Sequence, residues 1–139
     1  MSSRAVADTG PLVAIVRARE KAHKRCAAAL KTLRTPLLTC WPVLTEAAWL
    51  LRDEPGGYKA LGGLIESGLV ELAELDATTL AWVIAFMNRY ASTKAQMADA
   101  ALMCLAEQEG IDKVFTLDRR DFTIDRTTDG HALAIIPEP

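Results

Sequence analysis

Aromatic residues are scarce in this chain, at 6% of 139, and cysteines number only three. Cys26, Cys40 and Cys104 form an odd set without C-x-x-C spacing, which argues against a disulfide framework and against a zinc site. They are expected as small core residues. Lysine and arginine do not outnumber acids, since the net charge is −2, so a basic nucleic-acid coat over the whole surface is excluded. No apolar run approaches the roughly 18–20 residues that span a bilayer, and Met1 to Asp8 has neither the apolar core nor the cleavage site of a signal peptide. The phosphate-binding G-x-x-x-x-G-K-[ST], the dinucleotide G-x-G-x-x-G and the nucleophile elbow G-x-S-x-G are all missing. His23 and His131 are the sole histidines, neither beside a motif, and both are expected at the surface. Half of the residues are hydrophobic, enough for a packed core in one domain over residues 1–139. A cytoplasmic domain without membrane association is the expectation.

The charge that is present is unevenly spread. Residues 1–34 hold eight Lys/Arg against two acids, and residues 35–139 hold eight against sixteen. The basic excess lies in Arg17, Arg19, Lys21, Lys24, Arg25, Lys31 and Arg34. Such a run is usually a solvated helix face. It becomes a polyanion-binding face only if the remainder of the chain calls for one.

Short apolar strands alternate with helices along the sequence. Strands are expected at Ala5–Ala7, Leu37–Cys40, Leu69–Leu72, Lys113–Leu117 and Ala134–Ile136. Between them the pattern predicts helices at Gly10–Val16, Lys21–Leu33, Pro42–Arg52, Tyr58–Ser67, a stretch capped by Asp76 or Thr78 and reaching Tyr90, and Gln96–Glu109 stopped by Gly110. Leu80, Val83, Ile84 and Met87 are expected to form the buried face of the fifth helix. Trp41, Trp49, Trp82 and Phe86 are expected in the core, with part of that set available to line a dimer or partner groove. This alternation predicts an α/β fold, a mostly parallel sheet with helices on both faces.

Four carboxylates stand alone in apolar surroundings. Asp8 is the only charge between Ala5 and Val16, Glu46 the only one between Pro42 and Leu51, and Asp99 the only one between Gln96 and Ala106. Asp118 follows the strand Val114–Leu117, with Asp121 three residues on. Each has a bland reading: a turn or N-cap residue for Asp8, Asp118 and Asp121, a complement to the helix dipole in the first turn for Glu46 and Asp99. Together they carry more weight. Strand C-termini and helix N-termini form the binding crevice of an open parallel sheet, and all four positions map to that edge. Burying lone carboxylates costs several kcal/mol unless they are paired, protonated or bound to metal. A hard divalent cation such as Mg²⁺ or Mn²⁺, which prefers oxygen ligands, is the natural counter-ion.

The same residues resemble a known family. Asp8-Thr9-Gly10-Pro11-Leu12, Thr45-Glu46, Asp99-Ala100-Ala101-Leu102 and Thr116-Leu117-Asp118-Arg119-Arg120-Asp121-Phe122 are similar to the four acidic motifs of PIN domains, in order and separation over about residues 5–122. Compact PIN proteins of this length are commonly VapC-type toxins of bacterial toxin–antitoxin pairs. The resemblance implies a single PIN-like nuclease domain, a parallel sheet ordered 3-2-1-4-5 and metal-dependent hydrolysis of RNA phosphodiesters. It further implies a cognate antitoxin partner and a homodimer. Gly10-Pro11 departs from the family, which often has Ser or Asn and a non-proline residue there, without touching a carboxylate.

On that resemblance Asp8 and Asp99 are the core metal ligands, and Asp118 completes the site. Glu46 binds through a water or orients the nucleophile, Asp121 supports the site or a second ion, and the Thr9 and Thr116 hydroxyls hold the ligands. The basic stretch, with Arg119 and Arg120, would grip the RNA backbone. A catalytically silent PIN-like module that binds RNA or protein is the rival reading. A phosphoaspartyl enzyme using Asp8 is a weaker one, because the second acid beside the nucleophile and the late lysine are missing.

Overall fold

The computed structural model describes residues 4–91, 96–118 and 130–137. Its centre is a strand too apolar to sit anywhere else. Ala5, Val6 and Ala7 of β1 (Arg4–Ala7) are fully buried, as a strand covered on both faces must be. β2 (Arg34–Thr39) pairs with it on one side and β4 (Lys113–Phe115) on the other, and β3 (Val70–Leu72) and β5 (Ala134–Ile136) form the edges. All four pairings are parallel and the order is β3-β2-β1-β4-β5, the order the family resemblance implies. The chain builds outward from β1 in one direction and then returns to build in the other. The reversal falls between β1 and β4, where Ala7 is in register with Phe115. That is the position where open parallel sheets bind ligands.

The helices are α1 (Thr9–Val16), α2 (His23–Leu30), α3 (Trp41–Leu50), α4 (Gly57–Glu66), α5 (Leu80–Arg89) and α6 (Met97–Glu109). α1 packs against α2, α3 and α4, while α5 packs against α6. α6 is the most buried, with Ala98 to Ala106 all inside, and it lies against β1. Gly110 ends it in the left-handed region, at φ +64°.

Several boundaries differ from the sequence reading for local reasons. The second helix spans His23–Leu30 rather than Lys21–Leu33, because the Thr32 hydroxyl and backbone N–H both bond the Ala29 carbonyl and turn the chain. β2 starts at Arg34 instead of Leu37, tolerating Pro36 because the register with β1 is irregular just there and Arg4 Nε donates to the Pro36 carbonyl at 2.9 Å. His23 is half-buried, with Nδ1 2.6 Å from the Ala14 carbonyl, and so ties α2 to α1 rather than standing at the surface. The three cysteines are buried, as expected.

The buried face of α5 is a correction. Leu80 and Ile84 are exposed; Val83 is buried and Met87 half-buried as expected, and Phe86 and Tyr90 complete the face. Rings decide it: Trp82 stacks on Phe86 at 5.4 Å, Phe86 meets Tyr90 at 4.6 Å, and Trp82 Nε1 donates to Glu107 of α6 at 2.7 Å. Trp41 and Trp49 are likewise exposed, not core. On α3 the buried series is Val43 and Ala47, continued by Leu51, and both tryptophans project from the opposite side of the helix.

Two glycines of α4 should respond to alanine with opposite signs. A Cβ on Gly57 would meet the Leu51 carbonyl at 2.9 Å, whereas one on Gly63 meets nothing within 4 Å. Gly57→Ala is expected to lower stability by about 1–3 kcal/mol, and Gly63→Ala to raise it by about 0.4–1 kcal/mol. Urea unfolding of the two variants checks both signs.

Candidate active site

Asp8 follows the last residue of β1 and stands where α1 begins. Its backbone N–H donates to the Phe115 carbonyl at 2.9 Å, which continues the β1–β4 ladder one residue past the strands. Its side chain does not cap the helix, so the bland N-cap reading fails. Instead Oδ2 accepts the Thr116 hydroxyl at 2.7 Å. That hydroxyl oxygen in turn accepts the Asp118 N–H at 2.9 Å, so one threonine links both aspartates across the sheet reversal.

Glu46 reaches the same corner from α3. It lies in the second turn of the helix, not the first, so a dipole complement does not account for it. Thr9 Oγ1 donates to Glu46 Oε2 at 2.8 Å. Adjacent residues at the start of α1 therefore engage two of the carboxyl groups: Asp8 is one, and Thr9 holds the other.

Asp99 occupies the third position of α6. This helix leads into β4, so it begins at the same edge of the sheet where the strands end. The residue is buried and completes a capping box: Gln96 N–H donates to Asp99 Oδ2, and the Gln96 side chain accepts from the Asp99 backbone. Asp118 is exposed beyond β4. Asp121, Arg119 and Arg120 lie outside the described residues.

Electrostatics marks the site more sharply than distance does. Burial pushes the Asp8 carboxyl up to about 6, against a downward pull from the Thr116 hydroxyl and the Thr9 backbone, and the charges of Glu46 and Asp118 raise it further. Among the described residues no Lys or Arg forms an ion pair with Asp8 or Glu46. The donor set is all oxygen and anionic, which suits a hard divalent cation. Among the described residues no three His, Cys, Asp or Glu side chains are gathered into a ready-made metal cage.

Cysteine chemistry does not compete here. Burial pushes the Cys40 thiol up to about 11 and raises those of Cys26 and Cys104 as well, which disfavours the reactive thiolate. A feature the sequence reading missed is the pinning of the basic segment. Glu54, at the turn into α4, pairs with Arg19 at 3.0 Å and Arg17 at 3.7 Å, and Arg17 Nη2 also donates to the Leu50 carbonyl. Lys21, Lys24, Arg25, Lys31 and Arg34 are exposed and form no ion pair among the described residues.

Comparison with known proteins gives three findings. The PIN domain family model matches residues 5–128. The ribonuclease VapC26 of Mycobacterium tuberculosis is 28% identical over 134 residues, covering 95% of this chain and 99% of that one. The crystal structure of VapC20 from the same organism, a sarcin–ricin loop cleaving toxin, superposes with a TM-score of 0.73 at 18% identity, over 83% of this chain and 90% of that one.

The Asp8 carboxyl makes stability depend on pH in a definite direction. Its folded value of about 6 lies above the ordinary 3.8. Between those values the folded chain keeps a proton that the unfolded chain has released, so stability falls as pH rises through this window. The loss is about 3 kcal/mol once complete. Without divalent ions, Asp8→Asn should be more stable than the parent by about 1–3 kcal/mol at pH 7.5 and equal to it near pH 4. Urea midpoints in chelator at both pH values test this; a variant less stable at pH 7.5 would show that the carboxylate is already satisfied.

Proposed function

The chain belongs to the PIN domain family, and from that premise we propose that it is a metal-dependent ribonuclease, the toxin of a toxin–antitoxin pair. The observation that carries this reading is the buried Asp8 carboxyl at the sheet reversal, beside Glu46 and Asp118 and unpaired with any cation among the described residues. A buried anion held at a ligand-binding edge is poor structural economy unless a cation or substrate uses it. The names of the two mycobacterial relatives point to the same chemistry.

In this reading Asp8, Asp99 and Asp118 hold Mg²⁺ or Mn²⁺, and Glu46 takes part in catalysis by orienting the attacking water. When bound, the ion supplies electrostatic stabilisation to the phosphoryl oxygens and makes water more acidic. The chain's own residues do the rest. Thr116 fixes the rotamer of Asp8 and Thr9 fixes Glu46, each through a short hydroxyl donation to a carboxylate. The exposed Lys21, Lys24 and Arg25 attract the phosphates; Arg17 and Arg19 spend their charge on Glu54 and contribute less. An antitoxin fits the apolar groove between α3 and α4, where Trp41, Leu44, Tyr58 and Leu61 face outward or line the wall. Sedimentation of the isolated chain tests the homodimer.

Cleavage of RNA with and without Mn²⁺ is the decisive experiment. The parent should cleave only with the ion, and Asp99→Asn should lose cleavage while keeping RNA affinity. Binding without cleavage at any Mn²⁺ concentration would replace the ribonuclease by a silent binding module. Mg²⁺ or Mn²⁺ at tenfold over its Kd should stabilise the fold by about 1.4 kcal/mol, read as a rise in Tm. Neutralising Lys21, Lys24 and Arg25 together should lower the salt slope of single-strand RNA binding by up to about 2, at roughly 0.7 per contact, and leave the metal's effect on Tm unchanged.

A further inference from the structure

Among the described residues, the buried polar and charged side chains are Asp8, Thr9, Thr39, Asp99 and Thr116. All but Thr39 already have a place in the candidate site. Thr39 is fully buried at the end of β2, and a hydroxyl in that position is costly unless it is bonded.

Its bond goes to the backbone that carries Asp8. Thr39 Oγ1 donates to the Ala7 carbonyl at 3.0 Å. The other side of the same peptide, the Asp8 N–H, donates to the Phe115 carbonyl at 2.9 Å. The Ala7–Asp8 peptide is therefore held from both neighbouring strands, at the last step before α1 begins. Thr39 is itself a fixed point: it is in register with Leu72 of β3, and its own carbonyl accepts the Ala73 N–H at 2.9 Å. Thr116 N–H donates to the Ile136 carbonyl at 2.9 Å, so hydrogen bonds cross the ends of all five strands in one line. In that line the link from β2 to β1 is a side chain, and substitution can remove it without touching a carboxylate. With the Ala7 carbonyl released, the peptide can rotate and swing the Asp8 side chain with it. An ion such as Mg²⁺, which demands near-ideal octahedral geometry at about 2.0–2.1 Å, tolerates little movement of that kind.

We propose that Thr39 is a positioning residue for Asp8: its hydroxyl fixes the plane of the Ala7–Asp8 peptide and so aims the carboxylate at the ion. The inference rests on the metal-site reading above and adds to it a residue that touches neither ion nor substrate.

The test is calorimetric titration with Mn²⁺, in reducing buffer, of the parent, Thr39→Ser, Thr39→Cys, Thr39→Val and Gly57→Ala, the last destabilised at the turn into α4. Thr39→Val keeps the shape, removes the donor and should weaken Mn²⁺ binding by about tenfold, the lower end of the range for residues that support metal ligands. Thr39→Ser keeps the donor and should bind as the parent does. Thr39→Cys matches Thr39→Ser in size but offers only a weak thiol donor, and it should bind less tightly than Thr39→Ser. That pair decides the matter even where valine prevents folding. Gly57→Ala should melt earlier and bind Mn²⁺ as the parent does. Parent-like affinity in Thr39→Cys and in any folded Thr39→Val, whatever their Tm, makes the hydroxyl a plain structural bond and overturns this inference alone. A loss in Thr39→Ser as large as in Thr39→Cys, or an equal loss in Gly57→Ala, overturns it too, tracing the effect to packing or to stability. A parent that binds no Mn²⁺ overturns the metal-site reading itself.

Discussion

A carboxylate buried without a cationic partner among the described residues is the constraint around which the rest of the fold is arranged. Asp8 is 6% exposed at the point where the sheet reverses direction. β1 must be central for that residue to be enclosed, and a central parallel strand must be apolar on both faces, which is why Ala5-Val6-Ala7 precedes it. The neighbouring strand then has to end in a donor. Thr116 provides one, and the same oxygen orders the backbone of Asp118. The site is thus an outgrowth of strand order, not a decoration on a finished fold.

Much of this was legible before any coordinates. Five strands, six helices and the parallel sheet followed from apolar periodicity, and solitary charges in apolar runs singled out Asp8 and Glu46, which the structure bonds to Thr116 and Thr9. What stayed illegible has physical causes. The rotation of α5 depends on ring stacking across Trp82, Phe86 and Tyr90, and a pattern of apolar letters does not distinguish Leu80 and Ile84 from those rings. The exposure of Trp41 and Trp49 was readable in principle, because Val43, Ala47 and Leu51 occupy the opposite side of the helix. The base rate for tryptophan in cores hid it. Glu46 lies one turn further into α3 than the sequence suggested, and a hydroxyl on another helix, not the helix dipole, holds it. Placement of Asp121 rests on residues outside those described.

The basic segment shows why a count of charges is a poor guide to a binding face. Seven cations lie between Arg17 and Arg34, yet the two nearest α1 are committed to Glu54 and brace the turn between α3 and α4. The buried Arg17 Nε and Glu54 Oε2 lack a well-aligned hydrogen bond, so this brace is a charge contact more than a directional one. The remaining cations are the exposed ones. A segment that looks uniform in sequence is divided between building the protein and meeting its ligand.

The capping box of α6 sets Asp99 apart from Asp8 in one more respect. At position 8 the demands of folding and of chemistry oppose each other, since a neutral residue relieves a buried charge. At position 99 they coincide, because the same carboxylate accepts the N–H that starts the most buried helix in the chain. A copy of this gene released from selection for activity would therefore decay asymmetrically. Changes at position 8 would accumulate as gains in stability, while acids and amides would persist at position 99. An inert descendant would be recognised by a lost Asp8 and a retained Asp99.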